Sequence, residues 1–173
     1  MALPDYTFLE AGTPIAWTAS GGDRTLTLTS LSNDAARQGQ KSLTLVDGTR
    51  GMPEVLEIFF ETKLASAGTN GAPIEIYFAE SSSTTAATDN PGSITGSDGA
   101  LSTPGEYKLQ LNPVGAMIVS NAAGTGAQKQ RFTYAPTCIT VTPVVVNRSG
   151  QALSSTAGDH VLRVTPYYRK IAE

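Results

Sequence analysis

Apolar residues in this chain recur at every second position, and that period allows few folds. In EVLEIFFETKL, Leu56, Ile58, Phe60 and Leu64 share one face with Thr62, while Glu57, Glu61 and Lys63 take the other. Alternation of this kind belongs to a strand with one face buried. RTLTLTSL repeats the device with Leu26 and Leu28, and SLTLVDG with Leu43 and Leu45 before an Asp47-Gly48 turn. IEIYFAE turns Ile74, Ile76 and Phe78 inward, and YKLQLNP does the same with Tyr107, Leu109 and Leu111. AMIVS is a short apolar run that predicts cover on both faces. QKQRFTY, TCITVTPVVVN and HVLRVTPYY complete about nine strands separated by Gly, Pro, Asn and Asp clusters. Helical period is nearly absent; SNDAARQGQ predicts one helical turn capped by Ser32 or Asn33.

Short strands without helices pack best as two antiparallel sheets. The expected fold is therefore all-β, an antiparallel β-sandwich of jelly-roll type, spanning residues 23–173. Pro143 and Pro166 interrupt good strands, which predicts an edge or a bulge at each. Residues 1–22 do not alternate and carry Pro4, Pro14 and Gly21-Gly22, so they read as an extended N-terminal arm. The arm bears Tyr6, Phe8, Leu9 and Trp17, either folded back over an open end of the sandwich or docked on a neighbouring subunit.

Charge and cysteine content exclude several functions. The 173 residues hold 12 basic and 15 acidic side chains without a basic patch, so binding to nucleic-acid phosphates has no support. The single cysteine, Cys138, rules out an intrachain disulfide and a Cys-rich zinc site, and its strand-like flanks predict a small buried group. No apolar stretch is long enough to span a membrane as a helix. The N-terminal residues lack a basic segment followed by an apolar one, so the expectation is synthesis in a cytoplasm without a secretion signal.

Catalytic patterns are equally scarce. His160 follows Asp159 directly, and neighbours on a strand point to opposite faces, which spoils a triad. Glu57 and Glu61 lie roughly 13 Å apart at strand rise, too far for either glycosidase geometry. GTGAQK at residues 124–129 lacks the P-loop Lys-Ser/Thr pair and a following helix. The loop ESSSTTAATDNPGSITGSDGALSTPGEY offers Asp89, Asn90 and Asp98 as hard oxygen ligands, but their spacing misses the calcium-loop pattern and suits two consecutive turns. Sugar binding would need exposed aromatics, for which Tyr77, Tyr167 and Tyr168 are the candidates. Neither a cofactor nor a metal is expected.

Several segments in sequence order resemble small virion proteins of tailed bacteriophages, of the capsid decoration or cement type. They are IEIYFAESSS, DNPGSITGSDGA, YKLQLNPVGAMIV, VVVNRSGQAL and HVLRVTPYY, all within the last 100 or so residues. The resemblance implies a non-enzymatic sandwich on the capsid exterior, made in the host bacterial cytoplasm. It further implies contacts to the major capsid protein and to itself, as a homodimer first and a trimer second. On that reading Tyr6, Phe8 and Trp17 of the arm and Asp89, Asn90 and Asp98 of the loop are the contact residues. The alternative is a receptor- or carbohydrate-binding domain of a phage tail or fibre.

Overall fold

A computed structural model describes residues 7–102 and 108–171. They form two sheets packed face to face. The first runs β3 (Arg24–Thr25), β2 (Ile15–Thr18), β11 (Val161–Ile171), β5 (Val55–Thr62), β9 (Gln128–Tyr134), with β1 (Thr7–Ala11) also paired to β11. The second runs β7 (Gly99–Leu101), β4 (Ala36–Gln38), β10 (Thr140–Asn147), β6 (Pro73–Ser81), β8 (Asn112–Ile118). All pairings are antiparallel except β2 with β3.

The alternation in β5 and β6 places the core where the sequence puts it. Leu56, Ile58 and Phe60 meet Ile74, Ile76 and Phe78 between the sheets, with Leu26, Leu28, Leu162 and Val164 around them. Each fully buried side chain of this size contributes about 1.5–3 kcal/mol. Trp17 lies in the same cluster and is 0 % exposed, its indole Nε1 donating to the Gln40 carbonyl at 2.7 Å.

That placement corrects the arm. Residues 7–11 and 15–18 are strands of the first sheet, laid end to end along one edge of β11. Register slips by one residue between them, at Gly12-Thr13-Pro14, because Pro166 faces the break and has no N–H to return the bond that Gly12 N donates to its carbonyl. A Cβ on Gly12 would lie 2.5 Å from the Tyr168 ring, so the kink needs glycine. Pro166 thus sits at an irregularity, as expected. Pro143 does not sit at an edge: it lies in central β10, where the β4 ladder ends and Gly39 N donates to its carbonyl.

Other expectations fail for reasons of long-range packing. Residues 36–38 form β4 rather than a helical turn, because Ala36 and Gln38 are buried between β10 and β7. Leu109 is 83 % exposed in a 3-10 turn, Lys108–Gln110, while Leu111 turns inward. The chain bends at Leu43, leaving it half-exposed while Leu45 is buried. AMIVS is covered on one face: Met117 and Val119 are buried and Ile118 is exposed. Cys138 is only partly buried, in a bend before β10. Tyr107 falls outside the described residues.

Candidate interaction surface

The loop singled out from sequence is a strap. Residues 82–98 cross the outer face of the second sheet and lead into its edge strand β7, and Ile94 and the β7 residue Leu101 close a second apolar cluster with Ala36, Ala79, Leu111, Val144 and Val146. This cover explains why every residue of β10 is buried, on both faces. Asp89 and Gly96 take positive φ to make the turns, and a Cβ on Gly96 would come within 2.1 Å of the Ala86 carbonyl oxygen.

Polar side chains rivet the strap down. Lys41, 4 % exposed, donates from Nζ to the carbonyls of Thr85 and Thr88 at 2.8 Å each, to that of Ser83 at 3.2 Å and to Ser81 Oγ at 3.0 Å. Burial pushes its ammonium below the ordinary lysine value, with Asp89 opposing the shift. Asp98 accepts from Thr27 N and Thr27 Oγ1 and takes both Arg37 Nε and Nη2. Burial works against its carboxylate, yet Arg37 and Thr27 hold it below the usual range. Asn90 Nδ2 donates to Ala86 O and Ile94 O. Of the loop residues expected to make external contacts, Asn90 and Asp98 therefore face inward. Asp89 is the exposed one, receiving a hydrogen bond from Ser82 Oγ at 3.0 Å.

The catalytic candidates resolve in the same direction. Ser154, His160 and Asp159 do come together, but wired for support. His160 Nε2 donates to the Ser154 carbonyl at 2.9 Å, which leaves Nδ1 to accept from Thr62 Oγ1 at 2.7 Å. The Ser154 hydroxyl donates to Asp159, whose other oxygen takes Lys63. His160 and the Thr62 hydroxyl at its Nδ1 are both buried, and burial pushes the imidazole below its ordinary value. Glu57 pairs with Arg131 and Glu61 with Lys129 on the solvated face of the first sheet. On that face Phe59 lies between the guanidinium groups of Arg131 and Arg163. Among the described residues no three His, Cys, Asp or Glu side chains gather as metal ligands.

Tyr168 is buried rather than displayed as a sugar platform. Its hydroxyl donates to Leu45 O at 2.7 Å, and the Arg50 guanidinium covers its ring at 4.4 Å. Arg50 in turn is held by Asp47 at 2.7 Å and Glu10 at 3.6 Å. Arg50 and the N–H groups of Thr49 and Arg50 hold the Asp47 carboxyl well below the usual range. Beside them opens a cleft of about 220 Å³ between Thr13, Pro14, Leu43, Asp47 and Tyr168.

What remains outward is a ribbon. Beyond Tyr167 strand β5 has ended, so, among the described residues, residues 168–171 pair only with residues 7–10. This two-stranded piece carries Phe8 and Leu9, 48 % and 50 % exposed. Phe8 is the aromatic of the expected contact set that the structure leaves accessible; Trp17 is core, and Tyr6 lies outside the described residues. No sequence signal marks the ribbon, because its stability depends on pairing between opposite ends of the chain. No family model matches the sequence, and no curated protein matches it.

Proposed function

We propose that this chain is a structural protein of a tailed-phage virion, a decoration subunit that binds the outer capsid lattice and reinforces it through protein–protein contacts. The observation that carries the reading is the terminal ribbon, which holds an aromatic and a leucine half-exposed outside the sandwich. Phe8 and Leu9, on opposite faces of the strand, offer an assembling subunit an apolar contact on either side of it. The strand order β2-β11-β5-β9 against β4-β10-β6-β8 is one we read as a jelly roll, and the segment resemblance supports the same class. The buried polar groups brace the chain itself, which suits a part whose work is mechanical. A receptor-binding role on a tail would rest on Tyr167, since Tyr168 is buried beneath Arg50.

Co-sedimentation of the full chain with expanded capsids tests the proposal. Binding should saturate at a fixed ratio to the lattice. Phe8→Ser should weaken it about five- to tenfold, as expected for a half-buried aromatic contact, without lowering the melting temperature. Absence of saturable binding by the wild-type chain refutes it.

A further inference from the structure

Natural sheets blunt their free edges, and four of the edges here show how. β3 has two residues and β7 three. β8 carries Pro113 and an irregular register opposite Ile76/Tyr77, and β9 carries Lys129 and Arg131. Short length, proline, irregular register and edge cations all discourage pairing with another chain. β2 is protected differently, since the outward N–H of Ala16 donates to Asp23 Oδ2 at 2.8 Å.

β1 has none of these devices. Its five residues, TFLEA, contain no Pro, Lys, Arg or bulge, and among the described residues it is paired on one side only. Gly12 N donates to Pro166 O, so Gly12 faces β11. In an antiparallel ladder the facing alternates, so Phe8 and Glu10 also bond toward β11 while Thr7, Leu9 and Ala11 present N–H and C=O outward. Among the described residues no side chain or backbone group outside β11 bonds to those three outward residues.

We infer that β1 pairs antiparallel with β1 of a second copy of this chain, on a two-fold axis through Leu9. It rests on the reading of the chain as an assembling subunit. The register follows from the outward residues, which must face each other. Centring on Leu9 sets Thr7 against Ala11 and uses all five residues, closing about six backbone hydrogen bonds. Centring on Glu10 would instead oppose two carboxylates, and centring on Phe8 would set Ala11 beyond the five residues of the partner's β1. With the Leu9 axis, the two half-exposed leucines meet on one face. On the other, Glu10 of the second copy flanks Phe8 across from Lys170, so opposite charges bracket the ring. The result is one continuous sheet running through both molecules.

Light scattering of the full chain across a wide concentration range, with wild type, Leu9→Lys and Leu9→Pro, tests this. Leu9→Lys opposes two ammonium groups on the axis. Leu9→Pro removes an outward N–H without touching the bonds to β11. The wild type should approach twice the 18.0 kDa chain mass. Both variants should run as single chains with unchanged melting. A wild type of one copy or of three, or variants that keep the two-copy mass, overturns the inference. Capsid co-sedimentation separates the two readings. A one-copy wild type that coats capsids sinks only the edge pairing, while a two-copy wild type that never binds them sinks only the decoration role.

Discussion

Lys41→Met removes one charged group while keeping its aliphatic stem, and the consequence can be worked from the contacts. The three N–H groups of Nζ are shared among four acceptors, three of them strap carbonyls. A hydrogen bond to a charged group is worth about 1.5–3 kcal/mol net, and the two at 2.8 Å are the strong ones. Against this, the variant no longer buries an ammonium, which offsets part of that loss. The carbonyls of Ser83, Thr85 and Thr88 then lose their charged donor and keep only the neutral ones, Thr140 Oγ1, the Thr88 N–H and Ser81 Oγ. The balance is a loss of about 2–4 kcal/mol, or on the order of 5–12 °C in melting temperature for a chain of this length. Hydrogen exchange should place the damage: the Thr88 and Thr95 amides, bonded to Thr85 O and Gln38 Oε1, should exchange faster while β5 and β11 stay protected. A melting temperature within about 1 °C of wild type, with strap protection intact, would refute the clasp.

His160 gives a pH signature. Its folded-state pKa is lowered by burial, so the unfolded chain takes up the proton first, and stability should fall as pH drops through about 6.5. Denaturant titrations should show that slope between about pH 6.5 and 5 and lose it in His160→Gln; equal slopes would remove the assignment. Asp98→Ala should cost about 2–3 kcal/mol by freeing Arg37 and the Thr27 N–H, measured by urea unfolding at neutral pH. Asp98's own contribution is present above the ordinary carboxylate pKa and disappears as pH falls through its lowered one. Gly115→Ala should destabilise by about 1–3 kcal/mol, since its Cβ would lie 2.4 Å from the Phe132 ring at the seam of the two sheets. A neutral substitution there would mean that the β8–β9 seam is looser than the structure has it.

The central strands were legible because their pattern is local. Leu56, Ile58, Phe60, Ile74, Ile76 and Phe78 sit at a spacing only a half-buried strand uses, and all six are core. What escaped depends on partners far along the chain. TFLEA and IAWT are each too short to show a period, and the Gly12–Pro14 kink between them hides that they follow one edge of β11. The strap and β7 hold only Ile94 and Leu101 as apolar anchors in a run of Ser, Thr and Gly, so they read as solvent-facing. Lys41 gives no signal at all, because its acceptors are backbone carbonyls some forty residues away. Asn90 and Asp98 were expected to make external contacts, but their hydrogen bonds run inward to Ala86 and Thr27, a wiring that the turn pattern of the loop does not reveal.

The decoration reading stands or falls on where the protein sits in a particle. Gold-labelled antibody against the purified chain, applied to phage particles that encode it and viewed by negative-stain microscopy, answers that directly. The account predicts label distributed over the outer surface of the head, absent from tails. Label confined to the tail or fibre tips, or particles that carry none, would contradict it.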